Sequence, residues 1–335
     1  MSERERFFEQ IDALNHENFR ETALSLFHYQ YRHNPIYKKY VDLLGRDINA
    51  IRQLNQIPFL PISFFKTHQV ISNKAVTGEP EALFKSSGTT TSSTSRHYLF
   101  NKQHYLTNCR RIFENTYGEL SDCVILALLP AYLERENSSL VMMADYFIGQ
   151  SSSDLSGFYL HDYESLIDQV NQLKMKNEAK QLVILGVSFA LLDLAEKYKP
   201  DFSGCIVMET GGMKGRRAEL TRTELHNILK EGLNVETIHS EYGMTELLSQ
   251  SYSRGSGLFQ PSDSMRLLIR EVNDPFALST TPVRAGGINV IDLANVDSCA
   301  FIETMDIGFI YENGAFEVLG RFDHSDVRGC NLMVV

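Results

Sequence analysis

Hydrophobic and polar positions alternate with two different rhythms along this chain, and the change between them predicts its organisation. Phe7, Phe8, Ile11 and Leu14 recur at helical spacing, and residues 19–31 continue the pattern. Residues 3–45 are therefore predicted to be helical, with a break at Asn34-Pro35, where Pro35 suits the first position of the next helix. Ile57-Pro58-Phe59-Leu60-Pro61-Ile62-Ser63-Phe64-Phe65-Lys66 is predicted to be extended and buried, because two prolines exclude a regular helix interior. From residue 101 onward, helical periodicity over 101–117, 138–148, 163–176, 188–198 and 217–230 alternates with short apolar runs. These runs are 123–130, 157–160, 182–185 and 205–208, and 235–238 is a further strand candidate. Continuous apolar runs of that length are the pattern of strands buried on both faces. The β-α rhythm predicts an α/β fold with a largely parallel sheet covered by helices, and ligands in such sheets bind at the carboxyl ends of the strands. Beyond Arg254 the rhythm shortens to strands at 265–271, 287–291 and 309–317, the last a hairpin about Asn313-Gly314. That change predicts a smaller β-rich subdomain.

One stretch fits neither rhythm. Ser86-Ser87-Gly88-Thr89-Thr90-Thr91-Ser92-Ser93-Thr94-Ser95 has nine hydroxyl side chains and one glycine, too little apolar surface to make a core. Composition alone describes a solvated linker. The run, however, lies between two apolar segments, Glu81-Ala82-Leu83-Phe84 and Tyr98-Leu99-Phe100, which is no place for a tether. Backbone N–H groups and hydroxyls around a glycine can converge on an anion, so a phosphate-holding loop is the expectation.

Two further loops follow predicted strands. Glu209-Thr210-Gly211-Gly212-Met213-Lys214-Gly215-Arg216-Arg217 is a glycine-rich turn with cations at a helix start, where they oppose the macrodipole unless an anion is bound. His239-Ser240-Glu241-Tyr242-Gly243-Met244-Thr245-Glu246 follows the next strand.

Composition narrows the class. With 335 residues, 43% of them hydrophobic, the chain can bury a large core. A net charge of −10 argues against nucleic acid as a partner. No apolar run reaches membrane-spanning length. The first residues lack a signal-peptide core, and five cysteines without a CxxC pair argue against disulfides and structural zinc, so a cytoplasmic location is expected.

Together the loops resemble those of the adenylate-forming ligases, the superfamily of acyl-CoA synthetases, luciferases and peptide-synthetase adenylation domains. Ser86-Ser87-Gly88-Thr89-Thr90-Thr91 is similar to their phosphate loop, Tyr242-Gly243-Met244-Thr245-Glu246 to their second signature and Met305-Asp306-Ile307-Gly308 to the third. Gly320-Arg321-Phe322-Asp323 is similar to their hinge motif. The four motifs occur in family order across residues 84–323. Within the superfamily the chain most resembles the LuxE-type acyl-protein synthetases of the bacterial luminescence fatty-acid reductase complex. The features are Phe64-Phe65-Lys66 and the terminal Arg328-Gly329-Cys330-Asn331-Leu332.

The resemblance implies an adenylation domain made of a helical N-terminus plus α/β nucleotide-binding region (1–255) and a β-rich part (256–323), then a tail (324–335) carrying Cys330. It implies ATP and Mg²⁺. Ser87, Gly88, Thr89, Thr90 and Thr91 would hold the β- and γ-phosphates. Gly211, Gly212 and Met213 would line the adenine, with Tyr242 and Gly243 against it. Thr245 would touch the α-phosphate, Glu246 would hold the metal, and Asp306 would bind the ribose with help from Arg321. Two departures stand out. The lid domain of most relatives is expected to be absent and with it the catalytic lysine, since no lysine follows Lys230, and the phosphate loop ends in Ser95-Arg96 where many relatives have lysine. Lys214, Arg216, Arg96 or a partner protein would have to supply that charge. Family position makes Cys330 the acyl acceptor, and Arg328 nearby would lower its pKa.

The expected function is activation of a small carboxylic acid, fatty or aryl, to an acyl-adenylate, then transfer to a thiol and delivery to an acyl-acceptor or reductase protein. Alternatives are a ligase using an external thiol such as coenzyme A, and a nucleotide- or acyl-binding module without catalysis. A further alternative is a serine hydrolase or acyltransferase. Gly186-Val187-Ser188-Phe189-Ala190 resembles a nucleophile elbow, with Ser188 served by His239 or His324.

Overall fold

The computed structural model describes residues 1–72, 75–76, 78–86, 94–129, 137–176, 180–212, 220–280 and 284–322. Among them the parallel part of the sheet has the order Gly157–Phe158, Cys123–Leu128, Gln181–Val187, Ile206–Thr210, His239–Tyr242. Every residue of Cys123–Leu128 is buried, as its unbroken apolar run requires. The helices Lys102–Tyr117, Ser139–Gln150, Tyr163–Lys176, Ser188–Lys197 and Arg222–Leu233 bury their apolar stripes in the same core.

After Tyr242 the sheet continues antiparallel, through Ser251–Ser253, Leu258–Pro261, Phe316–Arg321, Phe301–Ile310, Gly286–Asp292, Met265–Arg270 and Leu278–Ser279. The chain is thus α/β, with helix-covered parallel strands joined edge to edge to a β-rich part. The hairpin at Asn313-Gly314 is present, Gly314 taking φ +81° to turn the chain between Phe301–Ile310 and Phe316–Arg321.

Three local expectations need correction. The strand expected at 235–238 lies later, at His239–Tyr242. Asn234 ends the preceding helix in a left-handed conformation, and the chain needs residues 235–238 to climb to register with Met208. The helix expected from 217 is described from Arg222, where Thr221 and Glu224 form a capping box. The segment 57–66 is extended only in part. Leu60–Pro61 pairs with Ile302 and Glu303, and Phe64–Thr67 makes a single helical turn beyond the second proline.

The helices Glu3–Asp12, Phe19–His33 and Pro35–Leu43 build a second core with the antiparallel strands, around Phe27, Tyr37, Phe59 and Phe301. Polar groups fix this contact. The amide of fully buried Gln30 donates to the carbonyls of Asn295 (2.6 Å) and Val296 (3.2 Å) and accepts from the N–H of Ala300 (2.9 Å). Asn34 caps the helix that Pro35 opens and donates to Ser298 O at 3.0 Å. Arg4 grips Asp297 with two contacts of 2.6 Å.

Gln30→Ala would take away the partner of the buried Asn295 carbonyl and of the Ala300 N–H, and leave Val296 O with the Ser72 hydroxyl at 3.3 Å. Its expected effect is a loss of about 2–4 kcal/mol in urea unfolding, because unsatisfied buried groups bear their whole desolvation cost.

Candidate active site

The site collects where the parallel strands end and the antiparallel ones begin. Thr210 ends one strand, and Gly211 then turns the chain at φ +71°, a conformation that suits glycine. A side-chain carbon at Gly212 would meet no atom of the described residues within 4 Å, so among them the turn borders open space. Tyr242 ends the neighbouring strand. At Gly243 a side-chain carbon would lie 2.2 Å from Oε1 of Glu241, whose Oε2 accepts a hydrogen bond from the Thr210 hydroxyl. Glycine there leaves room for the carboxylate that ties the two loops together.

The Tyr242 ring is held edge-on by Phe259 and Phe316, at 5.9 and 5.4 Å between centroids. Its hydroxyl donates to Asp306 Oδ2 at 2.9 Å. Across the strand pair, Arg321 Nε lies 3.2 Å from Asp306 Oδ1. Burial pushes the Asp306 carboxyl above its ordinary range, while Arg321 and the Tyr242 hydroxyl pull it back. Burial, then the Asp306 charge, moves the Tyr242 phenol well above its usual value, so it is a fixed donor. The Arg321 side chain is 67% exposed, open to a ligand.

Glu246 is 5% exposed. Burial raises its pKa, and the Ser95 hydroxyl, Arg321 and Lys66 oppose that shift without cancelling it. Ser95 stands at the neck of the Ser/Thr loop. The strands Ala82–Lys85 and Arg96–Leu99 pair as a hairpin, and Ser86 and Ser95 close it. The hairpin is pinned to the second signature by His97. Burial lowers its pKa to about 4, so the ring is neutral, and its Nδ1–H donates to Thr245 O at 2.8 Å.

Among the expected site residues, Tyr242, Asp306 and Arg321 meet directly. The Arg321 charge acts on Glu246 as well as Asp306. Gly211 and Gly212 follow the strand next to that of Tyr242, while Gly243 and Thr245 lie between Tyr242 and Glu246. Ser87, Gly88, Thr89, Thr90, Thr91, Met213 and Cys330 lie outside the described residues, as do Lys214, Arg216 and His324. The nucleophile-elbow expectation finds no support in the geometry. Ser188 is 1% exposed and donates to Glu209 (3.0 Å) and Gly211 O (3.1 Å), while His239 pairs with the Tyr117 hydroxyl. Burial works to raise the Glu209 pKa, but His226, Arg222 and Ser240 outweigh it and hold the group below its ordinary value. Ser188 therefore braces the glycine turn.

Sequence reading missed Glu241, Glu209 and His97, which act through neighbours, and Asp292. The last is fully buried and accepts from the N–H groups of Leu248 and Ser249 and from the Ser249 hydroxyl, anchoring the chain just after Glu246. Their only signal was polarity inside or beside apolar runs.

A family model described as "Acyl-protein synthetase, LuxE" matches residues 7–335. The chain belongs to this family. Its fold is that of the adenylate-forming ligases. ATP-bound MatB from Rhodopseudomonas palustris superposes with a TM-score of 0.53 at 15% identity, over 75% of this chain and 50% of that one. The O-succinylbenzoate coenzyme A synthetase MenE from Bacillus subtilis, in complex with ATP and magnesium, gives 0.50 at 17%, over 74% and 53%. The luciferase-like enzyme of the Zophobas morio mealworm gives 0.50 at 15%, over 83% and 62%. This LuxE-family chain thus spans about half the length of the first solved structures it matches. Comparison with curated proteins gives no sequence match. No described helix is long and apolar enough to cross a membrane.

The Glu246 carboxyl has a higher pKa folded than unfolded. Its contribution to stability is therefore complete below the unfolded value and falls as pH rises through the folded one. Glu246→Gln is expected to melt above wild type at pH 7 without ligand, with the gap closing as pH falls towards about 4. Thermal melts between pH 4 and 8 measure it.

Proposed function

We propose that this chain activates a carboxylic acid with ATP, forming an acyl-adenylate and pyrophosphate, and then passes the acyl group to a thiol. The observation that carries the reading is the cluster of Tyr242, Asp306 and Arg321 beside Glu246 at the strand ends, in a chain of the acyl-protein synthetase family. The residues fit the ligands. Gly211-Gly212 leaves open space for a flat ring, Asp306 offers oxygen acceptors to a ribose diol, and the buried Glu246 carboxylate is a hard oxygen donor suited to Mg²⁺. Bound Mg²⁺ would supply charge neutralisation on the phosphates.

In the first step a substrate carboxylate oxygen bonds to the α-phosphorus, and the bond from that phosphorus to the bridging oxygen breaks, releasing pyrophosphate. No proton moves, so positioning and charge compensation are what the protein must provide. Asp306 and Tyr242 orient the nucleoside, the Ser/Thr loop receives the phosphates, and Arg321 offers its exposed guanidinium. In the second step a thiolate attacks the acyl carbon, AMP leaves with the electron pair, and a thioester forms. Cys330 is the proposed nucleophile. The described cysteines suit the role poorly, since burial pushes Cys123 and Cys205 up to about 11, Cys299 to about 12 and Cys109 higher still. A fatty or aryl acid and a downstream acceptor or reductase protein complete the proposal.

The test is a panel of carboxylic acids with Mg-ATP, reading pyrophosphate and intact protein mass. Wild type is expected to release pyrophosphate and gain one acyl mass. Cys330→Ala should keep the first and lose the second. Asp306→Ala should raise KM for ATP about 10- to 100-fold, the loss of one or two charge-assisted hydrogen bonds. Pyrophosphate with no mass gain would move the acceptor to coenzyme A or a carrier protein. ATP binding without pyrophosphate would overturn the catalytic reading.

A further inference from the structure

Asp306 lies in a strand whose pairing is broken on both sides. Toward Gly286–Asp292, the register passes from Gly287 opposite Ile307 to Asn289 opposite Glu303, so Thr304, Met305 and Asp306 all face Ile288. Toward Phe316–Arg321, Leu319 is the extra residue between the pairs Ile307–Gly320 and Gly308–Val318. Bulges of this kind re-aim side chains and leave backbone groups without ladder partners.

The first bulge is filled by a cation from the next strand but one. Arg270 reaches across Gly287, where a side-chain carbon would lie 2.4 Å from its Cζ. One of its terminal nitrogens donates to Ile288 O (3.1 Å) and Asn289 Oδ1 (2.8 Å), and the other to Thr304 O (2.6 Å). The Thr304 hydroxyl donates to the same Ile288 oxygen at 2.7 Å and accepts from the N–H of Asp306 at 3.1 Å. Beyond the site, the guanidinium sits 5.3 Å from the Phe322 ring, and Phe322 N–H bonds to Met305 O at 2.8 Å. Arg270 is 6% exposed. Every backbone group it answers belongs to the bulge.

We propose that Arg270 is a positioning residue for nucleotide recognition, whose guanidinium holds the bulge open so that Asp306 is aimed at a ribose diol. The inference rests on the assignment of Asp306 to the ribose under the proposed function. A buried cation with five donors in a planar fork is suited to bridging carbonyls of two strands, which a lysine ammonium does less completely. Arg270 touches no substrate in this account. It works through Thr304 and the backbone of Asp306, and the strain-free passage over Gly287 is what admits it.

The experiment compares ATP with 3′-deoxy-ATP in binding to the full-length chain by calorimetry, for wild type, Arg270→Gln, Arg270→Lys and Gly287→Ala. A buried carboxylate hydrogen bond to the hydroxyl is worth about tenfold or more in affinity. Wild type should therefore prefer ATP by that factor. Arg270→Gln and Gly287→Ala should bring the preference below about twofold, and Arg270→Lys should fall between. A merely structural arginine would weaken both nucleotides equally and leave their ratio intact. A wild-type preference that persists in the variants overturns the role of Arg270 and leaves Asp306 in place. Equal binding by wild type overturns the Asp306 assignment and with it the inference. Should Arg270→Gln fail to fold, the lysine and alanine variants carry the same comparison.

Discussion

Two carboxyl groups, Glu246 and Asp306, are held almost entirely out of water beside one exposed arginine, and the local structure is arranged around that fact. An anion removed from solvent is unfavourable unless hydrogen bonds and opposite charge replace the lost hydration. Here the replacement is incomplete. Ser95 and the tyrosine of the second signature each contribute one hydroxyl, and Arg321 serves both acids from the surface. Among the described residues, the positive charge and donors near the two acids fall short of offsetting their burial. A ligand bringing hydroxyls, or a metal ion, would meet that shortage without rearrangement, which is the physical content of preorganisation.

Continuity of the sheet makes this possible. Tyr242 belongs to the last parallel strand and packs against Phe259 and Phe316 of the antiparallel part. The same ring that ends one region thus borders the core of the other. The parallel strands contribute loops, in which backbone and glycine matter, whereas the antiparallel strands contribute fixed side chains. His97 and Asp292 then fasten the intervening loop from two directions. Recognition of a nucleotide in the proposed reaction draws on both kinds of surface.

The α/β rhythm was legible because strands buried on both faces must be apolar throughout, as Cys123–Leu128 is and as Gln181–Val187 is beyond its exposed first residue. His239–Tyr242 was displaced by four residues in the reading because it is a polar strand preceded by β-branched residues that look more strand-like. Strand choice there is made by pairing with Met208–Thr210, which no local pattern encodes. The motif residues Tyr242, Glu246, Asp306 and Arg321 were found through resemblance to the ligases, and their composition alone would have passed for turns and solvated charge. Arg270 could not have been found. It reads as the polar end of an apolar strand, and its importance depends on a two-residue slip in a partner strand. The partners of the N-terminal helices were equally hidden, since periodicity reveals an apolar face and not what covers it.

The two cores differ in how they are drawn from the chain. The core around the parallel strands comes from residues 84–252 with Ala294, whereas the other joins residues 7–70 to residues 242–316. The fastening of Gln30 to Ala300 spans a sequence separation of 270 residues. During synthesis the N-terminal helices therefore emerge long before the strands that bury their apolar faces, and the intervening α/β region has time to fold first. Loop closure over such a distance is slow compared with local pairing, and exposed apolar helices are prone to association in the interval. The half that carries Asp306 and Arg321 can be completed only once residues 242–316 have been synthesised. A nascent chain would thus own the glycine turn before it owned the acid and the arginine that complete the site.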